Sequence, residues 1–124
     1  MNSRHHRRSP DRHVLVARNG DVAELRLVLA LLPENAYGVV ILDTDPTDAS
    51  ATDIGAPSRM SVIRVREGRL DAAVAAWAAE WMPEERCCTG DDVVWVGRQA
   101  AATLGADVRS RLALDFEPFE VTAA

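Results

Sequence analysis

At 124 residues the chain is read as one domain, long enough to bury a core and too short for a two-domain enzyme. Charged residues at 27% and apolar residues at 48% are an ordinary globular balance; no apolar run nears the roughly 20 residues of a membrane helix and none follows the basic start, which excludes a spanning helix and a secretory signal and reads as cytoplasmic. The net charge of −5 divides into +3 on residues 1–13 and −8 on the remainder, and a body that acidic is excluded as a nucleic-acid platform.

Residues 1–12, with Arg4, Arg7, Arg8 and Arg12, are expected to form a disordered basic leader ahead of one domain over 13–124. His13 to Ala17 is a short strand, and Arg18-Asn19-Gly20-Asp21 a turn whose Asp21 is placed to cap the next helix. That helix runs to about Leu32 before Pro33, with Val22, Leu25, Val28, Leu29 and Leu32 on one apolar face. Tyr37 to Asp43 is a second strand, nearly continuous in apolar residues, as parallel strands covered on both faces are. Thr44 to Arg59 is a loop by composition, long for an α/β connection. Met60 to Arg66 is a third strand, where Arg64 and Arg66 alternate with Ile63 and Val65, the pattern of an edge with one wet face.

Glu67-Gly68 turns into a helix from about Arg69 to Met82, ended by Pro83, with Leu70, Ala73, Val74, Trp77 and Trp81 on one face. A tryptophan stripe at that spacing reads as core, not as a ligand platform. Cys87 and Cys88 are adjacent, a spacing that serves neither a metal site nor a redox motif, and they are read as reduced thiols. Asp92 to Val96 is the fourth strand, followed by a helix from Arg98 to about Leu112 with Ala101, Leu104, Val108 and Leu112 inward. Ala113 to Val121 is a fifth strand interrupted at Pro118, which restricts it to an edge or bulge. The order predicts an α/β fold, a three-layer half-Rossmann with a parallel sheet of about five strands in the order 3-2-1-4-5.

The most informative stretch is Val93-Val94-Trp95-Val96-Gly97-Arg98-Gln99-Ala100-Ala101, where a strand stops at Gly97 and a helix starts at once. In a parallel sheet such a junction lies outside the carboxyl end of a strand, where ligands bind, and a helix starting there presents N–H groups to an anion such as pyrophosphate.

Three stretches together resemble the C-terminal lobe of the siderophore-interacting proteins: Leu32-Pro33-Glu34-Asn35-Ala36-Tyr37-Gly38-Val39-Val40, Met60 to Arg66 feeding Gly68, and Asp92-Val93-Val94-Trp95-Val96-Gly97. The resemblance spans nearly everything from His13 onward. It implies a ferredoxin-reductase-like lobe that admits NADH or NADPH in ferric-siderophore reduction. It also implies a separate flavin-binding protein as partner, because no flavin barrel precedes His13 and no FAD site is expected in this chain. Two places depart from the family pattern. The first turn reads Ala17-Arg18-Asn19-Gly20-Asp21-Val22-Ala23-Glu24 where the family has Gly-Asp-Glu-Thr-x-x-Pro-Ala. Phe116-Glu117-Pro118-Phe119-Glu120 stands in place of an aromatic-rich end.

On the nucleotide reading, Arg18, Asn19 and Gly20 of the first turn and Gly97, Arg98 and Gln99 of the fourth-strand turn flank the phosphates, with Arg18 and Arg98 as charge-assisted donors. The plainer alternative makes both arginines solvated turn residues, since one glycine per turn is far from a full G-x-G-x-x-G. Asp43, ending the second strand, is either a ribose-binding carboxylate that disfavours a 2′-phosphate or a turn residue. Arg66 is a further cofactor candidate, and Arg59, Arg64 or Arg66 would reverse that preference if one reaches over. Asp43-Thr44-Asp45 with Asp48 lacks the glycine and terminal Glu of a calcium loop, so no metal site is expected. The histidines all fall in the first 13 residues, leaving no nucleophile–base pair and no catalytic residue to name. A second reading therefore stands beside the first: a non-catalytic Rossmann-like module that binds a protein or small ligand. Oligomeric state is left open.

Overall fold

The computed structural model describes residues 11–44, 54–66, 68–81 and 92–112. Within them the elements are β1 (Arg12–Arg18), a 3-10 turn (Asn19–Asp21), α1 (Val22–Leu31), β2 (Tyr37–Asp43), β3 (Arg59–Val65), α2 (Leu70–Trp81), β4 (Asp92–Val96), α3 (Arg98–Thr103) and α4 (Ala106–Arg111). The four strands are parallel in the order β3-β2-β1-β4, which is the expected half-Rossmann order. The expected fifth strand, residues 1–10 of the expected leader, Asp45, Asp48 and the Cys87-Cys88 pair lie outside the described residues.

Alternation along the central strands divides the core into two layers. Val14, Val16, Val39 and Ile41 meet Leu70, Val74 and Ala78 of α2, Ala100 of α3, Val108 of α4, and Leu104 and Leu112. On the opposite face Leu15, Ala17, Val40 and Leu42 meet Val22, Leu25 and Leu29 of α1, closed off by Ile54 and Met60. Leu15, Leu25, Ile41 and Leu42 are fully buried. Each contributes about 1.5–3 kcal/mol by leaving water.

Close approach fixes the amino end of the sheet. Gly38 has φ +143°, and a Cβ there would run into the backbone of His13, its partner across β1 and β2. At the same end the Arg12 guanidinium lies 5.2 Å from the Trp77 ring centroid and donates to the Trp81 carbonyl at 2.6 Å. Arg111 donates to the Ala78 carbonyl, so two arginines satisfy carbonyls in the last turn of α2.

Four local expectations need correction. Strand β1 starts at Arg12, inside the expected leader. The expected single helix over Arg98–Leu112 is two short ones, because the Gly105 N–H donates to Asp71 Oδ1 at 2.7 Å and not to a helical carbonyl. Trp81 is not core but half exposed: Ala78 takes the inward position in the last turn of α2. Finally, Asp21 stands at the start of α1 but makes no side-chain cap there; its carboxylate goes elsewhere.

Candidate functional site

Strands β1 and β4 are neighbours, but the chain leaves β1 toward β2 and reaches β4 only after β3. Their carboxyl ends therefore define a switch point, the place in an open α/β sheet where a crevice forms. The Gly97 N–H donates to the Val16 carbonyl at 2.9 Å, fixing the two strand ends side by side.

Asp21 organises this place. It is 3% exposed, and its carboxylate accepts three backbone N–H groups: Gln99 on Oδ1 at 2.9 Å, and Ala100 and Arg18 on Oδ2, each at 3.0 Å. The first turn is thereby tied to the N-terminus of α3. The facing turn reciprocates, since the Gly20 N–H donates to Gln99 Oε1 at 3.1 Å. Proximity requires glycine at Gly97, where a Cβ would strike the buried Asp21 carboxyl, whereas one on Gly20 would meet the end of the Gln99 side chain, which is exposed and can move aside. The N–H groups of Gln99 and Ala100, which would otherwise face an anion, are committed to an internal carboxylate.

One strand further, β2 ends at Asp43, aligned with Arg18 of β1. Asp43 is 5% exposed, and its Oδ2 lies 3.6 Å from Arg18 Nε, an ion pair in which the arginine remains about one-third exposed. Arg66 follows Val65, the residue aligned with Asp43, and is exposed at the end of β3. It is two strand spacings, roughly 10 Å, from β1. Arg98, the first residue of α3, is exposed.

The structure thus brings together Arg18, Asn19, Gly20, Gly97, Arg98 and Gln99 and sets Asp43 beside them, while Arg66 stands apart along the same sheet end. Asp21 is the organising residue that sequence reasoning misassigned. The signal for it was an acid two residues beyond Asn19, facing a glycine turn. His13 lies at the opposite, amino end of β1, its Nδ1 buried without a hydrogen-bond partner among the described residues. Among the described residues no cluster of His, Cys, Asp or Glu is placed to hold a metal. No described helix is long and apolar enough to cross a membrane. The site presents an exposed cation, Arg98, and a partly exposed, ion-paired one, Arg18, around two turns tied together by Asp21.

No protein-family model and no curated protein matches the sequence. Solved structures do match the fold. The siderophore-interacting protein SipS from Aeromonas hydrophila superposes with a TM-score of 0.56 at 15% identity, over 86% of this chain and 46% of that one. A siderophore utilization protein from T. fusca superposes with a TM-score of 0.50 at 18% identity, over 83% of this chain and 37% of that one. The chain shares their fold and spans less than half the length of either.

Proposed function

We propose that this chain is a siderophore-interacting-protein-like lobe that takes a pyridine nucleotide, NADH or NADPH, at the carboxyl ends of β1 and β4. On this reading it works with a separate flavin domain in ferric-siderophore reduction. The observation that carries the reading is the meeting of the Arg18–Gly20 and Gly97–Gln99 turns at the switch point of a sheet, in a fold that siderophore proteins also have. When bound, the nicotinamide supplies the hydride, and the protein supplies position.

Because Asp21 holds the N–H groups of Gln99 and Ala100, the phosphates in this proposal rest on side chains, chiefly the Arg98 guanidinium. Asp43 serves the ribose side, its charge balanced by Arg18, so it opposes a 2′-phosphate less than an unpaired carboxylate would. Arg66 is the cation further along that sheet end. Calorimetric titration of the full chain with NADH and with NADPH tests the proposal. Expected is saturable binding that weakens about tenfold in Arg98→Ala, as loss of one charge-assisted contact dictates. Binding that Arg98→Ala leaves unchanged, or no heat and no thermal shift at millimolar nucleotide, overturns it.

The same carboxylate favours a second reading. With the anion-facing amides of α3 filled from within, the lobe is a non-catalytic binding module for a protein or small ligand. Failure of both nucleotides in that titration selects it.

A further inference from the structure

Strand β3 is the terminal strand of the sheet, and among the described residues nothing pairs with its outer side. It is seven residues long, and only Met60 is buried. Val62 and Ile63, adjacent and hence on opposite faces, are 38% and 40% exposed. Beside it lies a cavity of about 370 Å³ lined by Ile54, Ala56, Pro57, Met60, Val62 and Arg64. Edge strands carry a row of unmatched N–H and C=O groups, and proteins usually blunt them with central charge, proline or cover. Here the exposed apolar pair Val62 and Ile63 is flanked by exposed arginines: Arg59 opens the strand, Arg64 follows Ile63, and Arg66 lies just beyond.

Charge decides the occupant. Residues 59–69 hold four arginines against Glu67, a local +3 in a chain of net −5. A second copy adding its own β3 would bring like charges together, which opposes self-pairing. A strand bearing carboxylates is attracted to the same positions. We propose that the outer edge of β3 receives an extended acidic peptide of a partner protein by strand addition. The peptide's backbone bonds to β3, its apolar side chains lie beside Val62 and Ile63, and its carboxylates lie toward Arg59 and Arg66. The inference does not rest on a nucleotide at β1 and β4, although Arg66 belongs to both readings.

The test is an NMR titration of the nitrogen-labelled full chain with a blocked, strand-length peptide that has Val in the middle and Glu at both ends, which serves both faces of the strand, and with its Lys-for-Glu counterpart. Expected are amide shifts concentrated on Ser61 to Ile63 with the acidic peptide, weakening as salt rises from about 50 to 300 mM, and none with the basic one. The doubly substituted Arg59→Glu, Arg66→Glu chain should keep its melting temperature and lose about tenfold or more in affinity. Equal response to the two peptides, shifts centred on β4, or no response at millimolar peptide overturns the proposal. So does a free chain that sediments as a dimer broken by Ile63→Asp.

Discussion

Replacing Asp21 with alanine tests whether its carboxylate holds the two turns together. Three N–H groups lose their acceptor at once: those of Arg18, Gln99 and Ala100, at 2.9–3.0 Å. Hydrogen bonds to a charged group contribute about 1.5–3 kcal/mol each. Against this stands the cost of burying the carboxylate, several kcal/mol for a group so little exposed, and alanine removes that cost too. The difference leaves a net loss of about 2–4 kcal/mol, a large share of the 5–15 kcal/mol that holds a typical domain together. At roughly 4 °C per kcal/mol for a chain of this size, the melting temperature should fall by about 8–16 °C. Asp21→Asn keeps the shape and one acceptor oxygen but turns an amide toward the remaining donors, and should fall by about half as much. Thermal melts give the magnitude. Hydrogen exchange gives the location, since the Gln99 and Ala100 amides should lose protection before the centre of β1 does. An Asp21→Ala chain that melts within about 3 °C of the parent would refute the argument, because three simultaneously orphaned donors cannot be that cheap.

Gly97→Ala places a Cβ on the Asp21 carboxyl and should cost about 1–3 kcal/mol in urea unfolding as overpacking; combined with Asp21→Ala the losses should fall short of their sum, because one contact is broken twice. Gly38→Ala meets both the +143° φ and the His13 backbone, and should abolish soluble expression or lower the melting temperature by more than any other single change considered. The Arg18–Asp43 pair should respond asymmetrically in thermal melts. Arg18→Met leaves a 6%-exposed carboxylate without its cation and should cost about 1–3 kcal/mol, below the fully buried case because Arg18 is partly solvated. Asp43→Asn leaves a partly solvated guanidinium and should cost under about 1 kcal/mol.

What was legible in the sequence follows the physics of each signal. Strands β2 and β4 fall at their expected limits because apolar runs are bounded there by turn residues, Asp43 for one and Gly97 for the other. Strands β1 and β3 each begin one residue earlier, at Arg12 and Arg59. A ladder continues as long as its neighbour does, and Tyr37 pairs with both. The apolar face of α1 is a local period and was readable. The break at Gly105 was not, because Asp71 of another helix makes it. The site divides the same way. Two turns at neighbouring strand ends follow from strand order alone, but the bond from the Gln99 N–H to the Asp21 carboxylate joins residues 78 apart in the chain. A single sequence offers only a plausible local use for such an aspartate, as the cap of the helix beside it.

That substitution of a distant partner for a local one matters for recognition. A helix N-terminus left open binds anions through fixed backbone dipoles, which depend little on salt when partly buried. Here those donors are used to join β1 to β4, and what faces outward is the Arg98 side chain. Recognition through a flexible exposed cation is weaker, and it is screened over about 10 Å at 0.1 M salt. The rigidity Asp21 confers and the donors it consumes are one exchange. A nucleotide bound at these turns should therefore lose affinity steeply with ionic strength, and a ligand that ignores salt must be held by something other than the Arg98 turn.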